Sequence, residues 1–163
     1  MLTPEYSAGF FDGEGSVYAA VRKGYGHPTI LVCISNTNKQ VLELHKAMWG
    51  GSINRRKDRE GWQSQYQWVL APRMAKAFLL SIYPHLIVKK AVVYEALRYM
   101  EIQALPRSQR LDYTVYEGDG RKLVRGIPKP EISGKLAEIH GNIRRLNMRG
   151  APHNARRTSE GER

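Results

Sequence analysis

The apolar pattern of this chain changes period in one fixed order, twice over. "SVYAAVRKGYG" alternates, with Val17, Ala19 and Val21 on one side and Ser16, Tyr18, Ala20 and Arg22 on the other, which predicts a half-buried strand. "TILVCISN" predicts a second strand, joined to the first as a hairpin through a Gly/His/Pro turn. "NKQVLELHKAMW" then sets Val41, Leu44, Ala47 and Met48 at helical spacing and stops at Gly50-Gly51, a C-cap signal. The order returns as a strand over "GSINRRK", a turn over "REG", a strand over "WQSQYQWVL" and a helix over "PRMAKAFLLSIYPHL", stopped by Pro84. A longer amphipathic helix follows over "VKKAVVYEALRYMEIQAL". In front of both units, "TPEYSAGFFDG" predicts a helix with Thr3 as N-cap and Pro4 at its first position. Two strand-strand-helix units behind a leading helix give the order αββαββα, an α+β chain in which hairpins build an antiparallel sheet.

That order occupies residues 1–105, read as the core of one domain. The 58 residues after it read as a basic C-terminal extension, since 106–163 hold 13 Lys plus Arg against 7 acids. Within the extension "PRSQRLDYTVYEGDGRKLVRGIPKP" is turn-rich and receives no firm structure. Residues 131–148 predict a helix despite Gly134 and Gly141, and "RGAPHNARRTSEGER" reads as a disordered end. The formal charge of +11 over 163 residues points to a polyanionic partner. No stretch approaches the roughly 20 apolar residues of a membrane span, so no membrane partner is expected. The start "MLTPEYSAGF" lacks the basic and apolar regions of a signal peptide. A single cysteine, Cys33, excludes an internal disulfide framework and suits a reducing intracellular compartment, the cytoplasm of a prokaryote or an organelle. The five histidines show no paired ligand spacing, so zinc is not expected, and His45 reads as a surface or boundary residue of its helix.

The leading helix carries the chemistry. Gly9 and Gly13 lie four apart, hence on one face, and each costs about 1 kcal/mol relative to Ala inside a helix. Close approach of another backbone would offset that cost; the plain alternative makes Gly13 a C-cap and Gly9 a tolerated flaw. Asp12 and Glu14 stand in the last turn, where carboxylates oppose the helix dipole. A hard cation, Mg²⁺ or Ca²⁺, would offset this, provided a second chain or substrate phosphates completed its ligands.

"SAGFFDGEG", Ser7 to Gly15, resembles the nine-residue signature of the LAGLIDADG homing endonucleases. The likeness holds at Ala8, Gly9, Asp12 and Gly15, with Phe10 and Phe11 as apolar equivalents, Gly13 as the small residue and Glu14 for the final acid. Ser7 departs from the usual leading leucine. The αββαββα order is also that family's, so the resemblance implies a saddle-shaped antiparallel sheet with helices on one face. It implies that motif helices pack at a two-fold axis through Gly9 and Gly13, with Asp12 bonding near the helix ends there. It implies further that Glu14 holds Mg²⁺ at the scissile phosphate, a site Ca²⁺ can occupy without supporting cleavage. One motif per chain implies a homodimer. By the same resemblance Lys89, after "YPHL", stands where relatives carry a catalytic lysine, with Lys90 as its rival. Asn36, or Asn38, stands where relatives position a water; a helix N-cap is the plain reading of either.

The strand faces add a partner. Tyr18, Ala20, Arg22, Thr29, Leu31, Cys33, Ser52, Asn54, Arg56, Gln63, Gln65 and Gln67 project opposite to the apolar set. Arg and Gln can bond guanine and adenine bidentately in a major groove wide enough for a β-ribbon. Lys23, Arg55, Lys57, Arg59 and the tail arginines suit phosphates. With the resemblance, the sum is a Mg²⁺-dependent endonuclease for a long, near-palindromic double-stranded DNA site, and the resemblance implies short 3′ overhangs and a service to intron mobility. The rival readings are a maturase that binds its own intron RNA, and a DNA-binding regulator that does not cut.

Overall fold

The computed structural model describes residues 2–21, 28–56, 63–118 and 121–148. The chain runs α1 (Pro4–Glu14), β1 (Gly15–Val21), β2 (Pro28–Asn36), α2 (Lys39–Trp49), β3 (Ser52–Arg55), β4 (Tyr66–Leu70) and α3 (Pro72–Ile82). A 3-10 turn (Tyr83–His85) leads to α4 (Lys90–Ala104), followed by the single turn α5 (Arg107–Arg110), β5 (Leu111–Gly118), β6 (Arg121–Pro128) and α6 (Pro130–Met148). β1 to β4 form one antiparallel sheet in the order β1-β2-β4-β3.

Local chemistry sets the junctions that matter for the site. Thr3 accepts the Tyr6 amide at 3.2 Å and Pro4 opens α1, so the helix starts where its sequence says. It continues through Gly13 to Glu14 and passes directly into β1 at Gly15. A Cβ on Gly15 would fall 2.3 Å from the Phe11 ring, so only glycine lets that ring lie against the start of the strand. At the end of α2, Gly50 and Gly51 take φ of +75° and +87°, and a Cβ on Gly51 would meet the Val69 carbonyl oxygen at 2.6 Å.

One face of the sheet is apolar. Val17, Ile30, Val32, Ile34, Trp68 and Leu70 are buried there beneath the helices. Phe78 of α3 sits at the junction, edge-on to Trp68 at 5.2 Å and to Phe11 and Trp49 at 5.7 Å.

Two expectations need correcting. The buried side of α2 is Leu42 and His45, whereas Leu44 and Met48 are 53% and 42% exposed. His45 is fully buried: it stacks on Phe10 and tilts against Trp68, each at 5.4 Å, and its Nδ1–H donates to the Val41 carbonyl at 2.7 Å. Counting apolar letters passed over an aromatic ring that packs like one.

The second correction concerns residues 106–163. β5 and β6 pair as a separate hairpin where no firm structure was expected. α6 matches the expected helix but is not an appendage, because Ile132, Leu136, Ile139 and Ile143 are buried in the same core as the sheet. Buried Glu95 of α4 ties it down, pairing with Arg98 at 2.9 Å and accepting from Asn142 at 3.1 Å, while Arg98 reaches Glu138 at 3.1 Å. At the end of α6 the Asn147 amide donates to the Val17 carbonyl at 2.8 Å, satisfying an acceptor of edge strand β1. The packed unit therefore extends past residue 105. No helix among the described residues is long and apolar enough to cross a membrane.

Candidate active site and sheet face

The two acids at the end of α1 have different surroundings. Both oxygens of Asp12 are occupied: Oδ2 accepts the amides of Ile87 and Val88 at 2.7 and 3.1 Å, and Oδ1 that of Lys89 at 2.8 Å. These amides lead into α4, so Asp12 acts as the acidic cap of that helix from 75 residues away in sequence. Burial alone would push its pKa up, but the three amides and the Lys89 charge hold it below the usual carboxylate range. Glu14, two residues further, is exposed and makes no hydrogen bond or ion pair with the described residues.

The same cap fixes Lys89. Its ammonium donates to the Asp12 carbonyl oxygen at the negative end of α1, so one lysine closes the end of α1 and the start of α4 together. Burial pushes its pKa down, against the pull of the Asp12 and Glu14 carboxylates. Lys90 turns elsewhere, with its ammonium 5.4 Å from the centre of the Tyr83 ring. Of the two lysines, Lys89 is thus the one brought to the acids.

Asn36 ends β2, two residues past the pairing of Gly15 with Ile34. Its Oδ1 accepts the Asn38 amide at 2.8 Å, and Asn38 in turn caps α2 through the amides of Gln40 and Val41. Asn38 is therefore a helix cap, and Asn36 lies at the sheet end where β1 leaves Glu14. Gly9 and Gly13 are open: a Cβ built on either meets nothing within 4 Å. Beside Asp12, Ile87 and Val88 are 87% and 74% exposed.

A divalent cation can be tested against these groups. Asp12 already spends both of its oxygens on the amides that open α4, while Glu14 offers an exposed carboxylate at a helix end whose dipole favours positive charge. Among the described residues no three His, Cys, Asp or Glu side chains cluster to hold a metal alone. The donors fit an ion shared with further ligands, not one caged by this chain.

The outer face of the sheet carries most of the strand residues singled out above. Tyr18, Thr29, Leu31, Ser52, Asn54 and Gln67 alternate with the core positions, and Arg56 follows β3 on that face with its Nη1 3.4 Å from Gln65 Oε1. Gln63 and Gln65 are exposed but precede β4, which begins at Tyr66; only the Gln65 carbonyl extends the ladder, accepting the Arg56 amide at 2.8 Å. Cys33 faces outward yet is 1% exposed, so it is not a contact residue. Tyr18 and Gln67 cover it, and burial pushes its thiol pKa up. Ser35 and Val69 belong to the same face by register and were missed, although extending the alternation by one step on each strand would have found them. Ala20 falls in β1 with its side chain outside the described set, and Arg22, Lys23, Lys57, Arg59 and 149–163 lie outside the described residues.

No family model matches the chain, and no curated protein matches it significantly. Solved structures do. The archaeal intron-encoded homing endonuclease I-Vdi141I, complexed with DNA, aligns over 88% of this chain and 82% of its own, with a TM-score of 0.63 at 17% identity. The homing endonuclease I-TnaI aligns over 91% and 97%, with 0.62 at 18%. The homing endonuclease I-CvuI, in complex with its target in the presence of Ca, aligns over 88% and 80%, with 0.59 at 16%. These alignments extend across most of both chains in each case, and the chain has the fold of the LAGLIDADG homing endonucleases.

Proposed function

We propose that this chain is a site-specific, Mg²⁺-dependent DNA endonuclease that works as a homodimer on a long, near-palindromic site, leaving short 3′ overhangs and serving intron mobility. The observation that carries the reading is the junction of α1 and α4. There Asp12 is consumed as a cap, Glu14 is left open, and Lys89 is held beside both. A purely structural junction needs Asp12 but has no use for a second, exposed carboxylate opposing the helix dipole.

Glu14 of each chain would hold the cation at the phosphate. When bound, Mg²⁺ supplies an activated water and offsets charge on the phosphate. Lys89, fixed at both ends by its own backbone amide and its ammonium, places a positive charge beside that carboxylate and stabilises the charge that develops on the phosphate. Asn36, at the neighbouring sheet end, orients the attacking water. The outer sheet face lies in the major groove, and the two chains occupy successive grooves about a two-fold axis between their α1 helices. The neighbours are themselves complexes with DNA in two of the three cases above, which supports the partner.

A cleavage assay on the host sequence lacking its intron tests this. The wild type should cut with Mg²⁺ and not without it. Glu14→Gln should abolish cutting while most affinity remains, and Lys89→Ala should slow cutting by about 10²-fold or more, a loss typical of one electrostatic donor, with a smaller loss in binding. Normal cutting by Glu14→Gln would sink the metal assignment.

A further inference from the structure

Four side chains from three strands close on one another in the middle of the outer sheet face. Gln67 of β4 stands across from Ser35 of β2 and Asn54 of β3. Its Nε2 lies 3.2 Å from Tyr18 Oη, 3.2 Å from Ser35 Oγ and 3.3 Å from Cys33 Sγ. The Cys33 thiol donates to Tyr18 Oη at 2.9 Å. An amide nitrogen has only two hydrogens, so the nitrogen end of Gln67 is fully used within the sheet. Oε1, at the other end, has no bond among the described residues. Tyr18 Oη accepts the Cys33 thiol and lies within reach of the Gln67 amide, so both groups offer it hydrogens and its own hydrogen is left to donate outward.

We infer that Tyr18 and Gln67 form one base-reading unit of fixed polarity, the hydroxyl donating and the amide carbonyl accepting, so that Gln67 meets its base with one end only. The inference rests on the proposed placement of this face in a major groove. A free glutamine can bond adenine with both ends and single it out. A glutamine with its nitrogen tied back accepts from the exocyclic amine of adenine or cytosine alike and rejects the keto groups of guanine and thymine at the same place. The tyrosine hydroxyl then takes the keto oxygen across the pair, thymine O4 opposite adenine or guanine O6 opposite cytosine, which serves both cases alike. Cys33 supports the unit from beneath, which explains a thiol buried under an exposed sheet face.

Binding curves over all single-base variants of the site, without Mg²⁺, test the unit in the wild type, Tyr18→Phe, Gln67→Ala and the double variant. The wild type should favour adenine and cytosine over guanine and thymine by about tenfold, one hydrogen bond's worth, at one position per half-site. Each single variant should lose the preference at that same position, and the double variant should lose little more. Preference for adenine alone, or losses at two separate positions, would overturn the inference. A measurement free of DNA accompanies this: a thiol reagent should label Cys33 slowly in the wild type and much faster in Gln67→Ala, and equal rates would also overturn it. A wild type that binds no site would overturn the proposed function and this inference together. Slow labelling combined with unlinked base preferences would overturn this inference alone.

Discussion

At the scale of residues, the opening motif divides its two acids by what each side chain can reach. Asp12 reaches the amides of Ile87, Val88 and Lys89; Glu14 reaches outward. Stability should therefore depend on pH through Asp12. Its folded pKa lies below the ordinary value of about 3.9, so the contribution is fully present above that value and is lost as pH falls through the lower folded one. Asp12→Asn keeps one acceptor and loses the charge, and should cost about 1 kcal/mol, the usual scale of a helix cap. Its acid unfolding should be shallower than that of the wild type, as measured by denaturant titration between pH 5 and 2, about the span over which such a carboxyl titrates. An unchanged acid profile would remove Asp12 from the cap. That pairing was not legible in the sequence, because its donors are backbone amides that a folded chain brings from 75 residues away. Glu14 was legible as an acid opposing its helix dipole, but Lys89 only through a resemblance, whereas the alternation of Tyr18, Leu31 and Gln67 was legible from period alone.

At the scale of elements, strands were easier to read than the burial of helices. A strand offers two faces, and one apolar set identifies the buried one. A helix offers a stripe whose edge shifts with a single misjudged side chain, and His45 shifted that of α2 towards Leu42 and away from Leu44. Burial pushes the His45 pKa down, so the ring packs as a neutral aromatic. The reach of the core was misread for a related reason: α6 contains Gly134 and Gly141 and many charges, yet its four buried isoleucine and leucine side chains share one stripe. Ile139→Ala tests this. A side chain with 1% exposure should cost about 2–5 kcal/mol in the core, against roughly 0.5 kcal/mol or less for a residue on an appendage. Chemical denaturation with an unchanged slope would read the difference directly. A small loss would return α6 to the role of an extension.

At the scale of the whole molecule, one chain supplies half of what the proposed chemistry needs. It offers one open carboxylate for a cation that requires several oxygen ligands, and among the described residues no cluster completes the set. Beside that carboxylate lies a helix face with Gly9 and Gly13 open to solvent, flanked by Ile87 and Val88 at 87% and 74% exposure. Apolar side chains so exposed next to a bare helix suit the contact between chains proposed there. A two-fold axis between copies of α1 would pair these faces and bring two Glu14 carboxylates together. Gly9→Leu and Gly13→Leu separate that role from folding. Within one chain a Cβ at either position meets nothing within 4 Å, and leucine favours a helix over glycine by about 1 kcal/mol, so the folded monomer should be kept or slightly stabilised. The dimer should not survive, because a bulky side chain holds the two backbones apart. Sedimentation should then shift from twice 18.6 kDa to 18.6 kDa while circular dichroism is unchanged, and cutting should fall with the dimer. Dimers that persist in both variants would move the axis away from α1, and the shared cation site would have to move with it.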